Sequence, residues 1–190
     1  MASKVEIANR ALQILGAKSI TSLTEDSRNA RSINLAYEPV KLAELRKHSW
    51  SFAMKRAGLA ANATAPIFTK TNSFPLPSDF LRLLPKDGED LTNDLDWQIE
   101  GKSIVTDDAA PLKIRYIYDV TDPNEMDALF REAFSYKLAE TLAEEITQSN
   151  TKKADISSQY KDIIADARRV NAIERVAQNP PEDTWVTVRA

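Results

Sequence analysis

The residues that could do chemistry are few, and the histidine comes first. His48 stands two positions before Trp50 and is the chain's one histidine among 190 residues. It could act as a general base only with a nucleophile to serve, yet neither a Ser-x-x-Lys motif nor a Gly-x-Ser-x-Gly elbow accompanies it. At the end of a helical segment an imidazolium suits the helix dipole, so His48 reads as structural. Asp87, Glu89, Asp90, Asp94 and Asp96 crowd one segment, but a calcium loop needs glycine at its sixth position and glutamate at its twelfth. The segment lacks that spacing and reads as a solvated acidic loop. Any two of the 28 acidic residues could form a carboxylate pair for glycoside cleavage, and spacing singles out none. There is no cysteine, which removes disulfides, thiol catalysis and thiolate–metal centres. One histidine cannot build an imidazole metal site within a subunit. Neither phosphate-cradling glycine motif is present. Lys55-Arg56, Lys152-Lys153 and Arg168-Arg169 are basic pairs interleaved with acids, the pattern of solvated faces or interface ion pairs. A net charge of -3 and a pI near 5.3 argue against a module that lives on phosphate attraction. No catalytic, cofactor-binding or metal-ligating residue is assigned, and the chain reads as a non-enzyme.

The elements around these residues are mostly helical at the two ends. Ser3-Lys4-Val5-Glu6 is a capping box, followed by Val5, Ala8, Leu12 and Leu15 on one face and Gly16 as a stop. A second helix starts between Thr24 and Ser27 and carries Ala30, Ile33, Ala36, Val40 and Ala43 to about Lys47, bent at Pro39. The period then becomes two: Trp50, Phe52 and Met54 predict a half-buried strand. Residues 59–79 predict an extended loop in which Pro75 and Pro77 forbid a central strand. Phe80 to Leu84 predict a short strand, and Trp97-Gln98-Ile99 with Ser103-Ile104-Val105 predict a hairpin turning at Gly101. Leu112, Ile114, Tyr116 and Tyr118 alternate with Lys113, Arg115 and Ile117 in the best strand pattern of the chain.

Asp122-Pro123-Asn124-Glu125 carries the signals of a third helix start, an aspartate cap with proline at the first helical position. Its stripe is Met126, Phe130, Ala133, Phe134, Leu138, Leu142 and Ile146. After Ser149-Asn150 a fourth helix carries Ile156, Tyr160, Ile163, Ala167, Val170, Ile173 and Ala177, and the two can pair as an antiparallel hairpin. The expected fold is α+β: a four-helix bundle of N-terminal and C-terminal helical pairs with one small antiparallel β-sheet inserted between them. Residues 1–178 form one domain (helical 1–48 and 122–178, sheet 49–121), and 179–190 form an extended arm. In that arm Thr184, Trp185, Val186, Thr187, Val188 and Arg189 alternate around a tryptophan. The arm either adds to a sheet edge or groove of another subunit or docks on its own bundle. The N-terminus has no apolar leader, and no run approaches the roughly 20 residues of a membrane span.

Several stretches, taken in order, resemble the podovirus head-to-tail adaptor, or tail tubular protein A, family. They are Leu15-Gly16 with Ile20-Thr21-Ser22-Leu23, then His48-Ser49-Trp50-Ser51-Phe52-Ala53, then Phe74-Pro75-Leu76-Pro77-Ser78-Asp79-Phe80-Leu81-Arg82-Leu83-Leu84. Trp97-Gln98-Ile99-Glu100-Gly101 with Ile104 follows, then Ile114-Arg115-Tyr116-Ile117 before the helical hairpin. The match runs over about residues 3 to 178.

The resemblance implies a structural subunit of a dodecameric neck ring at the head–tail junction of a virion, assembled in the host cytoplasm. The ring would dock on the portal protein, carry the tail nozzle protein and pass genomic DNA through its lumen without reading sequence, with no membrane involved. It implies portal contacts through Thr184 to Arg189 of the arm and outer or nozzle contacts through Trp97, Glu100 and Lys102. Twelve copies at this net charge would total about -36, and such like-charge repulsion discourages DNA from sticking in the passage. Two alternatives stand beside it: a cell-wall or glycan hydrolase with a carboxylate pair in the sheet region, and a free helical interaction module.

Overall fold

The computed structural model describes residues 2–84 and 97–174. The acidic segment 87–96, Ala177 and the arm with Thr184 to Arg189 lie outside the described residues. The described elements are α1 (Lys4–Leu15), α2 (Arg28–Lys47), β1 (Met54–Leu59), β2 (Asn72–Pro75) and β3 (Phe80–Leu84). Then follow β4 (Trp97–Glu100), β5 (Ser103–Thr106), β6 (Leu112–Tyr118), α3 (Ala128–Thr147) and α4 (Asn150–Ile173). The fold is α+β.

Helix boundaries follow local chemistry. The side chains of Ser3, Ser27 and Ser149 accept the N–H of Glu6, Ala30 and Lys152, capping α1, α2 and α4. Gly16 takes φ 73°, where its N–H reaches the Gln13 carbonyl and that of Ala17 reaches the Leu12 carbonyl. This Schellman closure favours glycine because a Cβ is strained there. Pro39 sits on the exposed side of an uninterrupted α2, where water can satisfy the carbonyl it leaves unbonded. The start of α3 differs from expectation. Asp122 forms a turn, with Glu125 N–H on the Asp122 carbonyl at 3.1 Å, and the helix begins one turn later. There Asp127 caps Leu129 and Phe130.

Helix α3 packs against α1, α2 and α4. Its pairing with α4 is antiparallel, since Lys153 bonds Glu144 near the turn while Lys137 lies over Tyr160 farther along. Its pairing with α1 runs the same way, through Arg10 with Glu132 and Ser135 with the Ile7 carbonyl. Phe130 lies among Trp50, Phe52 and Phe134, and Tyr37 meets Phe134 edge-on at 5.1 Å. The buried faces are rotated from the expected stripes. In α2, Tyr37, Lys41, Glu44 and Leu45 turn inward while Ala43 is exposed. In α4, Ile164 and Asn171 are buried, whereas Ile173 is exposed and Ile163 and Val170 are half-buried.

The β region forms two three-stranded antiparallel sheets, not one: β1-β6-β3 and β2-β5-β4. Trp50 to Ala53 is not a strand. Trp50 is buried against Phe130, and Ser51–Ala53 is a turn of 3-10 helix leading into β1. The aromatic contact there overrides the two-residue period. Pro75 is tolerated because β2 is an edge strand. Gly101, at φ 59°, supplies the tight turn of the β4–β5 hairpin.

Strand β6 is central in the first sheet and serves both faces. Ile117 joins the helical core with Leu84, while Leu112, Ile114 and Tyr116 join a second core with Leu59, Phe74 and Ile104. Every residue of that second core belongs to the β region. The Tyr37 hydroxyl is buried without a hydrogen-bond partner, and an unsatisfied buried hydroxyl costs about 1–3 kcal/mol. Tyr37→Phe is therefore expected to leave stability unchanged or raise it by about 1 kcal/mol. Phe130→Ala should lower it by about 3–5 kcal/mol. Urea titration of both variants checks the contrast, and a strongly destabilised Tyr37→Phe would contradict it.

Candidate functional site

The titratable groups that sequence spacing could not place come together in three internal clusters. The first surrounds Lys41, whose side chain is 1% exposed. Its ammonium lies 2.7 Å from Glu38 Oε2 and 2.8 Å from Asp119 Oδ1, and Lys4 Nζ reaches Glu38 Oε1 at 2.7 Å. Burial alone would push the Lys41 ammonium down. The two carboxylates outweigh it and hold the lysine above its ordinary value. Burial likewise works to raise Glu38, and the two lysines reverse that and hold it low. The chain of charges ties α1 and α2 to the segment leaving β6.

The second cluster joins α4 to the end of α2. Glu44, 2% exposed, accepts the Tyr160 hydroxyl at 2.6 Å and also pairs with Lys47. Its backbone carbonyl accepts the Trp50 indole N–H at 3.2 Å. Burial first, then Glu44, pushes the Tyr160 phenol up. Asn171 accepts the Ser51 N–H at 2.8 Å through its carbonyl and donates to the Ser49 carbonyl at 3.3 Å. His48 Nε2 lies 3.1 Å from the Asn171 amide nitrogen, and the ring meets Trp50 edge-on. An amide nitrogen only donates, so Nε2 carries the lone pair. The imidazole thus takes part in a joint between elements.

The third cluster lies on the first sheet. Asp79 accepts Lys55 Nζ at 2.8 Å and the Tyr116 hydroxyl at 3.0 Å, and Tyr118 donates to Glu125 at 2.8 Å. Burial and the neighbouring carboxylates push both phenols up to about 12. Phenols so shifted are poorer acids at neutral pH than free tyrosine, the reverse of catalytic activation. A groove of about 850 Å³ between α1 and α3 holds Arg10 and Glu132, which pair with one another. Among the described residues no group of three His, Asp or Glu is placed to hold a metal. No described helix is long and apolar enough to cross a membrane.

What remains outward-facing lies on the β region. Of the expected outer contacts, Glu100 and Lys102 are exposed at the β4–β5 corner beside Ile99, while Trp97 is half-buried against the second core. The expected arm residues Thr184, Trp185, Val186, Thr187, Val188 and Arg189 lie outside the described residues. A surface not foreseen from the sequence is the loop 60–71 between β1 and β2. Its tip presents Ile67 at 97% and Phe68 at 81% exposure. Thr69, directly after, takes φ 72°, a left-handed conformation that a β-branched residue rarely adopts. The stem is tied down at both ends. Asn62 N–H bonds the Ser73 carbonyl at 2.7 Å, and Asp107 accepts Lys70 Nζ together with the N–H and hydroxyl of Thr71. These donors hold the Asp107 carboxyl below its ordinary value. The available signal was an apolar pair after Pro66 inside a stretch without charge.

No protein-family model and no curated protein matches the chain.

Removing one member of a buried ion pair strands the others, at about 3–5 kcal/mol when all are buried. Glu38 and Asp119 keep some water, so Lys41→Met should cost about 2–3 kcal/mol at pH 7. Glu38 is depressed in the fold. Its contribution is therefore present above its ordinary value of 4.5 and lost as pH falls through the lower folded value. The gap between parent and variant should narrow below that pH in urea titrations, and a gap independent of pH would contradict the assignment. Separately, Asp107→Ala should speed amide exchange within residues 62–73 while leaving that of α3 unchanged.

Proposed function

We propose that the chain is a non-enzymatic structural subunit of a phage head-to-tail adaptor ring, set between portal and tail nozzle with DNA passing through its centre. The observation that carries this reading is the division of the fold into a helical half and a β half. Each has its own core, and β6 belongs to both. An adaptor must present two unlike ends to two unlike partners while transmitting load between them, and two cores sharing one strand suit that task.

Two further points support it. The ordered resemblance from Leu15-Gly16 to Ile114-Arg115-Tyr116-Ile117 spans both halves. The carboxylates that a hydrolase would keep available, Glu38, Glu44, Asp79 and Glu132, are instead engaged with lysines, an arginine and tyrosines. On this reading the protein resides in the virion at the head–tail junction, after assembly in the host cytoplasm. The arm residues Thr184 to Arg189 grip the portal, and the corner at Glu100 and Lys102 faces outward to the nozzle.

Purified protein mixed with portal protein should co-sediment and show twelve-fold rings on the portal by negative-stain microscopy. Absence of any such ring overturns the reading. Ending the chain after Asn179 should abolish portal binding while the circular dichroism of the helices is retained; undiminished binding would remove the arm from the interface. Clearing of cell-wall suspensions by the protein alone, lost on replacing one acidic residue, would favour the hydrolase instead.

A further inference from the structure

We propose that the tip of loop 60–71 is a docking knob, Ile67 and Phe68, that seats in an apolar groove on the β region of a second copy of this chain. This goes beyond the adaptor reading, which assigns no contact to this loop and does not require one.

The knob is an exposed apolar pair on a fixed support. A single exposed hydrophobic residue needs no explanation, but two adjacent large ones at 97% and 81% exposure are a costly way to end a loop. The loop is not loosely held, because Asn62, Lys70 and Thr71 anchor its two stems to Ser73 and Asp107. The tip is held outward instead of folding over the nearby second core.

The chemistry of the tip selects the occupant. Residues 57–69 contain no charged side chain, so nothing on the tip would attract a phosphate backbone or an anionic lipid surface. An uncharged apolar knob fits an apolar protein surface. The chain itself offers one: an open groove of about 460 Å³ on β1 and β6, with Ala57, Gly58, Pro111 and Ile114 among its lining. Its size lies within the range of pockets that take a compact apolar group. Gly58 leaves its floor open. Knob and groove are different surfaces of one molecule, so a one-way contact between them is heterologous and propagates from copy to copy.

The parent chain has no cysteine, so two single-cysteine variants test the contact directly. Phe68→Cys places a thiol at the tip. Gly58→Cys places one in the groove, where an added Cβ meets only the Pro111 side chain at 3.9 Å, an ordinary contact. The full-length variants, mixed in equal amounts with a short bismaleimide, should give a covalent dimer several-fold more abundant than either variant alone. Absence of that mixed product, both without and with portal protein present, overturns the proposal, as does preferential coupling of Phe68→Cys to itself. The double variant Ile67→Ser with Phe68→Ser should keep the parent's circular dichroism and sediment as smaller species; unchanged sedimentation overturns the proposal too. The two readings fail separately. A mixed crosslink without portal binding sinks only the adaptor, and portal rings without the crosslink sink only the knob.

Discussion

Strand β6 is the constraint on which the rest of this structure depends. It is central in its sheet, so both of its edges are hydrogen-bonded, to β1 and to β3, and neither face is available as a simple solvent side. Its period of two sends Leu112, Ile114 and Tyr116 into one core and Ile117 into the other. Each fully buried side chain of this kind contributes roughly 1.5–3 kcal/mol. The four together are therefore comparable with the whole stability of a domain of this size. The two halves of the fold cannot separate without exposing one face of the same strand. Arg115 and Lys113 fall on the Ile117 face, where the two-residue period continues with charged residues in place of apolar ones. The alternation thus records where the helical core stops.

Polar groups are placed at the joints between elements. Lys41 links α2 to Asp119, the residue just after β6, and Glu44 with Asn171 links the end of α2 to α4. Apolar burial supplies most of the free energy, but it is non-directional and would accept small rotations of one helix on another. Hydrogen-bonded charges do not accept them, because a misplaced buried partner costs more than the pair contributes. This explains why the buried faces of α2 and α4 are rotated. Ala43 and Ile173 would be better buried on hydropathy alone, and they give way to Glu44 and Asn171, whose partners lie on a neighbouring element.

That same rotation marks the limit of what could be read beforehand. Caps and turns at Ser3, Gly16, Ser149 and Gly101 were legible because their physics is complete within four or five residues. So was β6, since a central strand between two cores must show its period. Trp50 to Ala53 misled because aromatic residues two apart fit a strand equally well as a turn closed over a distant ring, here Phe130. Asp122-Pro123 carries every local signal of a helix start, and the chain uses them for a turn; Asp127 does the capping. The internal clusters were not legible at all. Lys41, Glu38 and Asp119 are brought together by helix packing across 81 positions of sequence, and a formula of charges gives no hint which of 28 acids will be buried. The exposed pair Ile67-Phe68 was hidden for the opposite reason: hydropathy predicts burial, and only the fold reveals that nothing covers it.

Such a pair cannot hold two molecules together by itself, which bears on the kind of assembly it suits. Burying two large apolar side chains contributes roughly 3–6 kcal/mol, whereas association costs at least about 4 kcal/mol in lost rigid-body freedom. An isolated knob-in-groove dimer would be weak. In a closed ring the balance differs. Each subunit then makes two such contacts beside those of its helices, and the closing contact joins partners already held at high effective concentration. A rigid stem matters for the same reason, because a knob already fixed in its bound position loses little further freedom on docking. Thr69, held at positive φ, and Asp107, gripping the stem, therefore serve a contact that is small in area and effective only through repetition.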